Sequence, residues 1–215
     1  MKGIFDIDNP IMSGVIKIFD CICVSLLWLL FSLPVITIGA SSAALYTTVY
    51  KYLRKDEGHL WRTFWTAFRE NLRRSTLVWL AALAVMGVLI ADALVFRTMA
   101  INGSPFGKIY WVVLVLCCIA VTWMMYLSAY AARFSGSAKD VLWFGTLLLA
   151  LHPIKAVCVF LPLLCGGVLV LVGPGLIAIV PAAVCWLDSI TLEKVFLLHM
   201  KPEDMEKTMT DMKIK

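Results

Sequence analysis

The sequence predicts an all-α, polytopic transmembrane helical bundle, a single membrane domain over 1–215. Three observations predict it. First, 61% of the residues are hydrophobic and 15% are charged, against about 45–50% and about 25% in soluble domains. A soluble core of this size would leave much of that apolar surface in water. Second, four apolar blocks, 18–50, 75–96, 109–132 and 156–187, hold only Asp20 and Asp92 as charged residues. Third, Lys and Arg concentrate in the gaps between those blocks, as topology signals do.

A helix crosses the hydrocarbon layer with about 20 residues. The blocks at 75–96 and 109–132 are therefore single spans. The blocks at 18–50 and 156–187 are too long for one span, and each contains a breaker. Pro34 removes an amide hydrogen and Gly39 tolerates unusual dihedrals, so a tight turn is expected between them. Gly173-Pro174-Gly175 does the same in the last block. Both long blocks read as helical hairpins. The expected spans are 14–33, 37–54, 75–97, 109–132, 154–172 and 176–196: six, or five should the first or last fall short. The last is interrupted by Asp188, Glu193 and Lys194. At the start, Asn9-Pro10 suits an N-cap and first helical position, with 4–8 at the membrane surface. Asp6 and Asp8 before the first block, and its continuation to Tyr50, point to a retained membrane segment and not a cleaved signal.

With both termini in the cytoplasm, all the basic residues but Arg97 and Lys108 fall on the inner side. The expected location is a cell membrane, multi-pass, with a cytoplasmic tail at 199–215. The net charge of +5 follows from this topology. No basic-aromatic recognition module accompanies it, so nucleic acid is not an expected partner; the lipid bilayer is.

The segment 60–74 reads LWRTFWTAFRENLRR. Apolar residues recur at helical spacing on one face, with arginines on the other, which predicts an amphipathic cytoplasmic elbow in the inner interface. Trp61, Arg62, Trp65, Arg69, Arg73 and Arg74 form a candidate surface for a partner or an anionic lipid. The competing reading is an elbow that only aligns the next span. Tyr46, Tyr50, Tyr126 and Tyr130 are a candidate polar pocket for a sugar-like ligand, against the general preference of tyrosine for membrane interfaces. Those tyrosines, with Phe64 and Phe144, echo at an offset of 80 residues. The echo suggests two parallel three-helix repeats, an arrangement found in transporters, and coincidence between apolar helices competes with it. Asp20 can pair with Lys17. Asp92, Asp188 and His152 are the other ionisable residues near or inside the apolar layer, where such groups are functional candidates by default.

Chemistry is sparse. HExxH, GxSxG and GxxxxGK[ST] do not occur. The seven cysteines lie in apolar runs without CxxC spacing and read as reduced, small hydrophobes. No catalytic, cofactor or metal site is expected, and the chain reads as non-enzymatic.

The run Ser32-Leu33-Pro34-Val35-Ile36-Thr37-Ile38-Gly39-Ala40, followed by Ala44-Leu45-Tyr46, resembles the YesL-like family of bacterial membrane proteins of unknown function. The segments at 5–10 and 64–71, and His152-Pro153, fit the same resemblance. It implies a bacterial cell-membrane protein without assigned catalytic residues. It also implies a role accessory to carbohydrate uptake or its sensing, with a carbohydrate transporter component as partner. The rival expectation is a small transporter, or the substrate-capturing subunit of an importer.

Overall fold

The computed structural model describes residues 10–199, and those residues form helices and no strand. The N-cap at Asn9, the segment 4–8 and the tail beyond His199 lie outside the described residues. Helix α1 is Pro10–Phe31 and α2 is Ile38–Thr48, which runs on as a π-helical turn, Val49–Arg54. Helix α3 is Leu60–Ile101, α4 is Ile109–Arg133 and α5 is Ala138–Leu151. Helix α6 is Pro153–Val172 and α7 is Val180–His199. The breaks at 32–37, 102–108 and 173–179 are short and contain Pro34, Pro105 and Pro174, which lack the amide a helix interior needs. Four helices are long and apolar enough to cross a membrane: Gly14–Phe31, Leu60–Ile101, Pro105–Arg133 and Pro153–Val172. The exposed faces of α1, α3, α4 and α6 carry mainly Val, Leu and Ile, as a lipid-facing surface does.

The expected elbow at 60–74 is not a separate element. It is the first third of α3, a single helix of 42 residues. The physical reason is legible afterwards. The buried stripe Phe64, Ala67, Phe68, Asn71, Ser75, Val78, Ala82 keeps a helical spacing straight through position 74. No Gly or Pro stands between Gly58 and Gly87 to bend the chain. This stripe packs on α2, whose Ala40 and Ala44 meet Phe64, Ala67 and Phe68. Past Ala82 no residue of α3 is buried. Its last two turns close onto the loop before α4, with Gly107 against the Ala100 backbone. The outer halves of α3 and α4 thus form a two-helix apolar arm.

Gly39 also has a different role from the one its position in the sequence suggests. It is the second residue of α2, not part of the turn. A Cβ there would lie 2.5 Å from Trp79 Cβ and 2.7 Å from the Ser75 carbonyl oxygen. The missing side chain lets α2 and α3 touch backbone to backbone, and Trp79 Nε1 donates to the Val35 carbonyl at 3.0 Å just above. Gly39→Ala is expected to cost roughly 1–3 kcal/mol by forcing these helices apart. Thermal unfolding in detergent would show it, and a midpoint equal to the wild type would refute the contact.

The second half has its own helix, α5, in the stretch between two expected spans. Ser137 caps it, accepting from the Lys139 amide at 3.2 Å, while Asp140 Oδ2 accepts from the Ser137 amide at 2.7 Å. It folds back along the inner half of α4, with Gly145 on Leu127 and Trp123 Nε1 donating to Thr146 Oγ1 at 2.9 Å. His152-Pro153 then breaks the chain between α5 and α6. The two halves therefore differ where the repeat would need them alike: α3 is unbroken and its counterpart is split.

Candidate functional site: a buried ion pair and an exposed cationic face

The π-turn at the end of α2 is a wider coil than the helix before it, a device frequent at functional sites. It carries Tyr50 and Arg54 toward α4 and α7. One turn earlier, the Tyr46 hydroxyl donates to Glu193 Oε1 on α7 at 3.1 Å. Arg133, the last residue of α4, places Nε 3.4 Å from Glu193 Oε2. Its guanidinium also covers the Tyr50 ring at 4.5 Å, and Lys55 reaches the same ring at 4.7 Å. Arg54 Nη1 donates to both the carbonyl and the hydroxyl of Ser189, each at 3.1 Å. Glu193 is 6% exposed. Three helices thus meet through one carboxylate, its cation and two aromatic rings, away from water.

Of the four tyrosines expected to line a pocket, Tyr46 and Tyr126 are buried in one core cluster and Tyr130 packs against it. Tyr46 and Tyr50 belong to this ionic cluster, and Tyr126 lies fully buried on α4. Tyr130 stacks on Phe134 at 4.7 Å and on Phe144 at 5.9 Å. The Tyr46 hydroxyl is already committed to Glu193, and Tyr130 is half-buried. The cluster's charged members, Arg54, Arg133 and Glu193, were not singled out from sequence. The available signal was Glu193 inside an otherwise mostly apolar helix.

A cavity of about 380 Å³ has Trp28, Leu45, Met125, Gly166, Val184 and Cys185 in its wall. A second, polar groove of about 420 Å³ runs between α2 and the start of α3, past Lys51, Glu57, His59, Arg62 and Glu70.

Of the expected surface residues, Arg62, Arg69 and Arg73 are exposed on α3, with Trp61 56% and Trp65 38% exposed beside them. Trp61 and Trp65 stack at 6.4 Å, and Phe31 from α1 joins them at 6.4 and 5.5 Å. Arg69 lies 6.0 Å from the Trp65 ring. Arg74 does not belong to this face. It turns inward and donates to the Phe134 carbonyl at 2.8 Å, the Gly136 carbonyl at 3.2 Å and the Ala131 carbonyl. These are the carbonyls that the end of α4 leaves without helical partners, which is why a cation is drawn there.

The other ionisable candidates scatter. Lys17 pairs with Asp56 at 3.9 Å and not with Asp20, which lies by the Tyr52 hydroxyl. Asp92 is exposed on the arm, His152 marks the α5–α6 break and Asp188 is fully buried. All seven cysteines are free. Among the described residues, no three His, Cys, Asp or Glu side chains are grouped to hold a metal.

Residues 21–93 match a family described as "Protein of unknown function, DUF624". The match runs from Cys21 in α1, through all of α2, to Ala93 in α3. It therefore includes Tyr46, Tyr50 and the arginine face but not Arg133, Asp188 or Glu193. No curated protein matches the chain, and no solved structure matches it.

Proposed function

We propose that this chain is a non-enzymatic bacterial membrane protein of the YesL-like kind, accessory to carbohydrate uptake or its sensing. It docks a transporter component on the exposed face of α3. The observation that carries this reading is the face itself. Arg62, Arg69 and Arg73 project outward beside stacked Trp61 and Trp65, while the opposite side of the same turns is closed by α2. Aromatic residues and arginine are the residue types that anchor protein interfaces. In this reading α2 and α7 cross the bilayer too, giving six spans with both termini in the cytoplasm. The pairing of Glu193 with Arg133 and Tyr46 supports the crossing of α7, since it compensates the charge within the bundle.

The test is crosslinking and co-purification from native membranes of sugar-grown cells. Charge reversal of Arg62, Arg69 and Arg73 together is expected to abolish recovery of a transporter component and leave the unfolding midpoint within about 2 °C of wild type, since exposed substitutions rarely matter to stability. Equal recovery from the variant would exclude the face as the docking site.

The 380 Å³ cavity favours a second reading, a small transporter or a substrate-capturing subunit. Pockets of about 300–1,000 Å³ hold small ligands. A panel of sugars and vitamins that leaves the unfolding midpoint unmoved would argue against it.

A further inference from the structure

Neither the ion pair nor the docking face accounts for Asp188. It projects from α7 with no exposed surface, and neither carboxylate oxygen has a hydrogen-bond partner. The Tyr126 hydroxyl reaches in from α4, equally buried and equally without a partner. Tyr126 belongs to the core cluster that holds Cys185 and Leu192, the residues one turn before and one turn after Asp188 on its face of α7. An uncompensated carboxylate out of water is among the costliest groups a core can hold. Buried polar atoms that lack protein partners call for a water, an ion or a functional role.

The titratable and charged groups on the elements around this part of α7 include Cys21 of α1, Tyr46 of α2, Tyr50, Tyr52 and Arg54 of the π-turn, Tyr126, Tyr130 and Arg133 of α4, Cys158 of α6 and Glu193 of α7 itself. On α7 itself Cys185 lies within electrostatic reach of Asp188. The two cations in this set are committed elsewhere: Arg133 to Glu193 and Arg54 to Ser189. Neither of these two cations is bonded to Asp188.

We propose that Asp188 and Tyr126 form an intramembrane site for one small monovalent cation, a proton or an alkali ion. The unsatisfied atoms are oxygens, which suit a hard cation or a proton. Cys185 also lines the 380 Å³ cavity, and Asp188 follows it by three residues on the same helix, about 4.5 Å along the axis. Leu45 and Met125, in the same lining, each immediately precede one of the buried tyrosines, Tyr46 and Tyr126. The site is independent of docking on α3.

The test uses the full chain in nanodiscs. The unfolding midpoint is read by tryptophan fluorescence in sodium, potassium or choline chloride at constant ionic strength, over about pH 5 to 9, for wild type, D188N and Y126F. With an alkali ion as occupant, sodium or potassium raises the wild-type midpoint over choline and D188N loses that response. With a proton as occupant, the salts are equivalent and the wild-type and D188N midpoints diverge with pH. Y126F removes a hydroxyl that bonds to nothing, so it folds, and it shifts the apparent cation affinity by about tenfold. A wild type indifferent to alkali ions whose pH curve runs parallel to that of D188N would overturn the proposal. Should D188N fail to fold, a Y126F protein identical to wild type in every titration would overturn it as well.

Discussion

Glu193→Gln is expected to lower the unfolding free energy by about 3–5 kcal/mol, the usual consequence of removing one partner of a buried ion pair. For a chain of this size that is a fall of roughly 10 °C in the thermal midpoint. The reason is the fate of Arg133. Its guanidinium lies at the end of α4 with Glu193 as its counter-ion, and Nη2 has no hydrogen-bond partner. With glutamine at 193 the Tyr46 hydroxyl still has an acceptor, but the cation has lost its charge partner. Its remaining compensation is the face of Tyr50. Arg133→Met alone should be comparably damaging, because it strands the carboxylate. The two together should recover much of the loss, giving a double-mutant cycle with a large coupling energy. Thermal unfolding of the four proteins in one detergent measures this, and additive single effects would show that the pair is not a unit.

Arg74→Met should cost about 2 kcal/mol, although Arg73→Met beside it should change stability by less than about 0.5 kcal/mol. The two arginines are adjacent in sequence and opposite in role. Arg73 is exposed on the outer face of α3. Arg74 donates to three carbonyls around the end of α4. It also donates to the Asn71 side chain at 2.6 Å, which in turn donates to the Ala67 carbonyl at 2.9 Å. Methionine keeps the apolar stem and removes every donor, so the α4 terminus loses its cap. The Gly136 carbonyl can turn to water, which keeps the effect moderate. Chemical unfolding of the two variants side by side decides it: equal stabilities would mean the cap contributes nothing.

The helical class and the apolar exterior were readable because composition and block length are local properties of the chain. So were the breaks at Pro34, Pro105 and Pro174, where proline stands close to glycine or another turn residue, whereas Pro162 sits inside α6 without ending it. The continuity of α3 was harder to see. Amphipathic spacing at 60–74 looks the same in a helix lying on a membrane and in one packed along a neighbour. What differs is the presence of α2, with Gly39, Ala40 and Ala44 offering a flat face to receive it. That information lies outside the segment. The split between Arg73 and Arg74 has the same origin, because the carbonyls that claim Arg74 belong to residues 131–136.

The ionic cluster was illegible for a related reason. Tyr46 and Glu193 are 147 residues apart, and nothing local tells a tyrosine which helix will stand opposite. Asp188 and Glu193 could be seen as charges in an apolar helix. Only the fold separates them, pairing Glu193 with Arg133 and leaving Asp188 buried without a hydrogen-bond partner. The tyrosines show the same gap: equal spacing in two helices does not say what each ring meets, and Tyr130 meets Phe134, Phe144 and Phe196.

The account rests on α3 carrying its cationic face and its membrane-crossing stretch on one straight helix. Spin labels at positions 62 and 95, in a variant with the seven native cysteines replaced, measure this directly by pulsed electron resonance in lipid. A continuous helix places the two backbone positions about 50 Å apart. A distance near 36 Å, which a right-angle bend at position 74 would give at the same rise per residue, would contradict the account and return 60–74 to the membrane surface.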